Sequence, residues 1–141
     1  MTSDAPRAID DPAPEDLAFV ENAINRHNMD VTGHRDGRHL AIFVRDADGR
    51  IRAGLTGHTW GGTAEVKFLW VREGDRRAGL GSALLREAER EARARGCGQI
   101  VLATHGFQAP RFYAQRGYRP CGEFPEYPRG SSQIFLRKSL V

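Results

Sequence analysis

Residues 75–85 read DRRAGLGSALL: an acid, two arginines and an alanine, then Gly79-Leu-Gly81, a serine and an apolar run. Glycine weakens a helix interior, so a pair at the head of a helix needs another reason. Lacking a Cβ, it lets the backbone come close to a bulky partner. The first N–H groups of a helix have no carbonyl to bond and carry partial positive charge. Together these features make a seat for an anion, usually a phosphate. The same pair also fits a softened helix cap with no ligand, so the surrounding chain has to decide.

Downstream, Leu80, Ala83, Leu84, Ala88 and Ala92 form an apolar stripe. It predicts a helix from about Gly79 to Arg95, packed on a sheet through Leu80, Leu84 and Ala88. Glu89–Arg93 and Glu91–Arg95 have i,i+4 spacing for its wet side, and Gly96 suits its stop. Upstream, His39 to Arg45, Ile51 to Trp60 and Thr63 to Val71 read as strands. Turns at Asp46-Ala-Asp-Gly49 and Gly61-Gly62 join them into an antiparallel meander. Beyond the helix come a buried strand, Gln99 to Thr104, and a short helix, Ala109 to Arg116, ended by Gly117. Tyr118 to Val141 supplies two strands around Glu126-Tyr-Pro-Arg-Gly130. At the front, Pro14 opens a helix with Leu17, Val20, Ala23 and Ile24 at helical spacing that runs out near His27. Asn28 to Arg38 reads as a loop, and residues 1–13 as a loose lead-in.

The chain has 141 residues, which suits one domain with a real core, read here as 1–141. Hydrophobic residues are 40% and charged residues 28%, as in ordinary globular proteins. There is no run of about 18 apolar residues to cross a membrane and no apolar leader, which predicts the cytoplasm. Cys97 and Cys121 fit neither a disulfide framework nor a metal-ligand spacing, so no metal is expected. A net charge of +3 with no basic block argues against a nucleic-acid partner.

Two familiar phosphate motifs fail. A nucleotide P-loop needs a lysine that this loop lacks. A Rossmann fingerprint needs a third glycine where Leu84 stands, and a βαβ unit where this chain has a meander. What remains is Leu69-Trp-Val71 on a strand, a short link, then Arg76-x-x-Gly-x-Gly81 opening an amphipathic helix. A buried strand follows, then Ala109-x-x-Phe-Tyr113-x-x-x-Gly-Tyr118. In this order the segments resemble the GNAT superfamily of acetyl-CoA-dependent N-acetyltransferases, from about Leu40 to Leu140. Arg76, Gly79 and Gly81 match the family's Q/R-x-x-G-x-G/A motif. Ala109, Phe112, Tyr113, Gly117 and Tyr118 match its later segment. Two departures stand out. Gly106 replaces an asparagine that many members carry, its hydrogen-bonding job passing to Gln108 or to water. The family's first strand has only a poor candidate, Pro6 to Ile9.

The resemblance implies an α/β (α+β) fold: a mixed, mostly antiparallel sheet of six or seven strands with a central splay and flanking helices. It implies acetyl-CoA as co-substrate. The pyrophosphate would rest on backbone N–H groups of Arg77, Ala78, Gly79, Leu80, Gly81 and Ser82, with Arg76 adding charge. Pantetheine would lie along Leu69, Trp70 and Val71, with Gln108 and Phe112 also at the cofactor. Tyr113 stands at the family's general-acid tyrosine and Glu65 at the strand position of a general base. Strict alternation places Glu65 on one face with Lys67, Leu69 and Val71; a surface carboxylate paired with Lys67 or Arg52 is the other reading.

His58 and Trp60 share a strand face, where they line an acceptor pocket or else meet solvent and core. His34 and His105 take no role. Cys97 and Cys121 are expected as small buried apolar groups, and Glu123 to Pro128 as a loop, solvated or overhanging the acceptor. The implied acceptor is a small-molecule amine, with a protein amino group or aminoacyl-tRNA as the alternative and a non-catalytic acyl-CoA sensor as a third. A homodimer is compatible with all of these.

Overall fold

The computed structural model describes residues 5–141, which divide into two compact units, one up to Arg35 and one from Asp36 to Val141. In the first unit, helix α1 runs Pro14–Thr32, with proline in its first turn beside Glu15 and Asp16, which suit the positive end of the helix. Its apolar spacing fades near His27, yet nothing breaks the backbone before Gly33, whose N–H bonds the Met29 carbonyl at 2.8 Å. Asn28 to Thr32, expected as loop, is therefore helix. Among the described residues no strand precedes α1, and Pro6 to Ile9 is not one.

The second unit is a six-stranded sheet in the order β1-β2-β3-β4-β6-β5. Its strands are β1 (Arg38–Arg45), β2 (Ile51–Trp60), β3 (Thr63–Val71), β4 (Gln99–His105), β5 (Arg119–Pro125) and β6 (Ser132–Ser139). Every neighbouring pair is antiparallel except β3–β4. Parallel neighbours need a crossover, and helix α2 (Leu80–Ala94) provides it. Helix α3 (Pro110–Ala114) follows β4 and is shorter than its sequence suggests.

The core lies between α2 and one face of this sheet. Leu84, Leu85, Ala88 and Ala92 of α2 are buried with Leu55, Ala64, Val66, Ile100, Leu102 and Leu136. Glu89, expected on the wet side, is instead buried within this layer. The Tyr118 hydroxyl donates to its Oε2 at 2.7 Å and Lys138 Nζ to its Oε1 at 2.9 Å. A buried carboxylate needs such partners, and they come from β6 and from the residue just before β5, far away in sequence. Arg93, left without Glu89, donates to the Leu140 carbonyl at 3.3 Å. The Glu91–Arg95 pair forms as expected, at 3.3 Å. Cys97 is buried, and burial pushes its thiol pKa up. Cys121 is exposed, contrary to expectation; its thiol donates to the Phe135 carbonyl at 3.4 Å where β5 slips register against β6.

Candidate active site

Two irregularities in β3 make the site. The first is a bulge. Thr56 of β2 pairs with Phe68 but Gly57 pairs with Val66, so Lys67 is the extra residue. Before it, Ala64 and Val66 face the core; after it, Leu69 and Val71 do. Glu65, Phe68 and Trp70 face the other way, and Phe68 and Trp70 are exposed. Strict alternation is thereby overturned: Glu65 does not share a face with Leu69 and Val71.

The second irregularity is a splay. β3 and β4 pair only from Thr63–Gln99 to Val66–Leu102 and then part. Phe68 to Val71 stay paired with β2, Lys67 bulges out of that register, and none of them pairs with β4. Peptide groups on such an edge need partners, and the amides of an extended ligand arm can supply them. One carbonyl on the rim is occupied: Arg76 Nε donates to the Val71 oxygen at 3.0 Å, which holds the arginine against the end of β3.

The chain then turns through a single 3-10 turn, Glu73–Asp75, into α2. Gly79 is the N-cap, in the left-handed region at φ 78°, and no side chain caps the helix. Its first turn holds no acid. The N–H groups of Leu80, Gly81 and Ser82 therefore stay open to an anion. Ala78, by contrast, donates to the Asp75 carbonyl at 3.2 Å. The two glycines work differently from each other. Gly79 supplies backbone conformation, whereas a Cβ on Gly81 would meet Phe112 Cζ at 3.3 Å and Val71 Cγ2 at 3.8 Å. Gly81 thus makes room for the aromatic ring of α3 against the helix start.

Charged side chains that sequence spacing did not single out brace this loop. Arg52 donates to Asp75 at 2.9 Å, and Arg72 donates to Asp75 at 2.7 Å and to Asp46 at 3.1 Å. Asp75 is held below the ordinary carboxylate range by its bonds to Arg52 and then Arg72. Asp46 is likewise lowered, first by the Arg50 N–H and then by Arg72. The network ties the β1–β2 turn, β2 and the loop together across long stretches of sequence, which is why spacing alone does not reveal it.

On the α2 side, Tyr113 of α3 is buried, its ring edge-on to Phe112 and Tyr118. Burial alone raises its pKa, so the phenol stays protonated well past neutrality. Gln108 closes the turn before α3. Its Oε1 accepts from the His105 N–H at 2.7 Å and from Thr104 Oγ1 at 3.2 Å.

On the opposite face, His58 Nε2 and Glu65 Oε1 lie 3.9 Å apart across the β2–β3 hairpin, both partly exposed. Neither Lys67 nor Arg52 pairs with Glu65. Trp60 is half-buried on this face rather than in the buried core. His105 ends β4 on the same side. Its ring stacks on Phe107 with centroids 5.4 Å apart, and its Nδ1 lies 2.9 Å from the Tyr127 carbonyl oxygen. That contact holds the loop after β5 beside the open end of the splay. Tyr113 thus packs in the core on the α2 face of the sheet, while Glu65 lies on the opposite face.

No group of residues suited to hold a metal occurs among the described residues, and no helix there is long and apolar enough to cross a membrane. The sequence model of the acetyltransferase (GNAT) family matches residues 7–118. Blasticidin-S acetyltransferase of Streptomyces morookaense is 43% identical over 101 residues, 71% of this chain and 74% of that protein. Acetyltransferase Atu2258 of Agrobacterium fabrum is 34% identical over 119 residues, 84% of this chain and 87% of that one. The crystal structure of an acetyltransferase from Bacillus cereus aligns with a TM-score of 0.78 at 32% identity, covering 94% of this chain and 97% of its own.

Proposed function

The chain belongs to the GNAT acetyltransferase family, and from that premise we propose that it carries an acetyl group from acetyl-CoA to an amine on a small molecule. The single observation that carries this is the open β3 edge running into an uncapped helix start. An extended amide-bearing arm ending in a pyrophosphate fits both, the arm along Leu69 to Val71 and the pyrophosphate on the N–H groups of Leu80, Gly81 and Ser82. Arg76, Arg77, Gly79 and Phe112 border that seat. We read the chain as one acetyltransferase domain, a reading supported by a family match that runs over residues 7–118.

Acetyl-CoA supplies an activated acyl carbon and a thiol leaving group. The residues of the chain supply the proton transfers. Glu65, assisted by His58, takes a proton from the entering ammonium, directly or through water, so that the amine lone pair can form the new C–N bond. Tyr113 gives its phenolic proton to the departing sulfur as the C–S bond breaks; the new amide nitrogen sheds its remaining extra proton to solvent, and the tyrosinate takes one back from solvent. Their positions on opposite faces suit an acceptor entering from the β2–β3 side and a donor entering from the α2 side. A small acceptor is favoured by the relative named for blasticidin-S and by the absence of a basic block.

The test is thiol release from acetyl-CoA across a panel of small amines, with peptides and aminoacyl-tRNA as separate arms. Turnover with a small amine is expected; turnover confined to a macromolecular arm overturns the acceptor class. In parallel, acetyl-CoA should shift the amide NMR resonances of Leu80, Gly81 and Ser82. Shifts that leave those three untouched place the cofactor elsewhere.

A further inference from the structure

Behind the helix start lies a cleft of about 230 Å³ lined by Ser82, Leu85, Arg86, Glu89, Arg116 and Lys138. Ser82 belongs both to this cleft and to the open N–H groups of α2, so the two are contiguous. Three of the lining groups are cations. One is already spent: Lys138 is paired with the buried Glu89, whose other oxygen holds Tyr118. The other two are not. Among the described residues, neither Arg86 nor Arg116 pairs with a carboxylate. Arg86 bonds only the Ser82 hydroxyl, at 2.9 Å. Arg116 lies 3.9 Å over the Phe112 ring and donates to the Phe112 carbonyl at 2.8 Å, while its Nε is buried with no partner. With Glu89 neutralised by Lys138, the cleft presents two uncompensated guanidiniums, the side chain best suited to a phosphate.

We propose that this cleft takes the 3′-phosphate of coenzyme A, a phosphate monoester on the same ribose whose 5′ end carries the pyrophosphate. Arg86 follows Ser82 by one helical turn, about 6 Å along the axis, a spacing comparable to that between the two phosphate groups of that ribose. Arg116 reaches the same space from the turn after α3, set there by the Phe112 ring that Gly81 admits. The two arginines are specificity-determining: they separate the full cofactor from donors that lack the monoester. This rests on acetyl-CoA occupying the helix start.

The experiment compares calorimetric binding of acetyl-CoA and 3′-dephospho-acetyl-CoA to the wild-type protein, Arg86→Ala and Arg116→Gln. Arg86 is exposed, so its variant keeps the fold. Wild type should prefer acetyl-CoA by about tenfold or more, the scale of one charge-assisted hydrogen bond. Each variant should shrink that preference while binding the dephospho donor as wild type does. Equal wild-type affinity for both donors overturns the subsite and leaves the pyrophosphate seat standing. Equal weakening of both donors in the variants also overturns it, by assigning the arginines to the seat or the fold. Wild type binding neither donor overturns the acetyl-CoA reading itself.

Discussion

Gly57 lies so close under Glu65 that a Cβ on it would stand 1.9 Å from the Glu65 carbonyl oxygen. The contact sits beside the bulge at Lys67, where Gly57 pairs with Val66 and Thr56 with Phe68, and past which Leu69 and Val71 face the core on the side opposite Glu65. Gly57→Ala should cost about 1–3 kcal/mol of stability, as overpacking does, and should lower kcat beyond what the loss of folded protein explains. Chemical denaturation and steady-state rates check this. A variant with wild-type stability and turnover would show that the bulge does not depend on this contact.

Glu65→Gln keeps the shape of the side chain and loses the carboxylate proposed as the base. Its deficit in kcat/KM should shrink as pH rises, because the free amine accumulates without help. A deficit constant across pH assigns Glu65 to binding. His58→Gln should show the same trend more weakly if His58 assists Glu65, whose carboxylate lies 3.9 Å away.

How much of this was legible in the sequence follows from which interactions are local. The hairpin turns, the strands of the meander and the stripe on α2 rest on spacing within one element, and their placement holds to within a residue or two. The two motifs around Gly79 and Tyr113 pointed to the family in the same way. The bulge was hidden, because nothing in Thr63 to Val71 marks the extra residue; only the pairing of Gly57 with Val66 reveals it. Glu89 was misplaced for a similar reason. At i,i+4 from Arg93 it resembles a surface acid, and its true partners, Tyr118 and Lys138, are distant in sequence.

The Tyr118–Glu89 bond should matter for folding rather than turnover. Tyr118→Phe leaves a buried carboxylate oxygen without its donor and should cost about 1–3 kcal/mol at neutral pH. Burial first, and Glu89 second, raise the Tyr118 pKa. A phenol with a raised folded-state pKa stabilises below its ordinary value of about 10, and loses that contribution as pH climbs above it. The stability gap between wild type and Tyr118→Phe should therefore narrow above about pH 10, read by urea denaturation. A gap that widens there contradicts the assignment.

Asp75 braces the loop before α2 through Arg52 and Arg72. Asp75→Asn should raise KM for acetyl-CoA several-fold with kcat nearly unchanged, the pattern of a positioning residue whose contact is the same in ground and transition states. Because its folded-state pKa is depressed, wild type should hold the brace above the usual carboxylate range. It should lose it only in more acidic solution, as pH falls through the depressed value. A fall in kcat with KM intact would place Asp75 in the chemistry instead.

The most direct test is the turnover of Tyr113→Phe at saturating acetyl-CoA with one working amine. The change removes a single hydroxyl and keeps the ring packed against Phe112 and Tyr118. If Tyr113 protonates the departing thiolate, kcat should fall by about 10²–10⁴-fold while acetyl-CoA affinity stays unchanged. A kcat within about threefold of wild type, below the range for general acids, would remove the tyrosine from the chemistry and leave the thiol to depart with water alone.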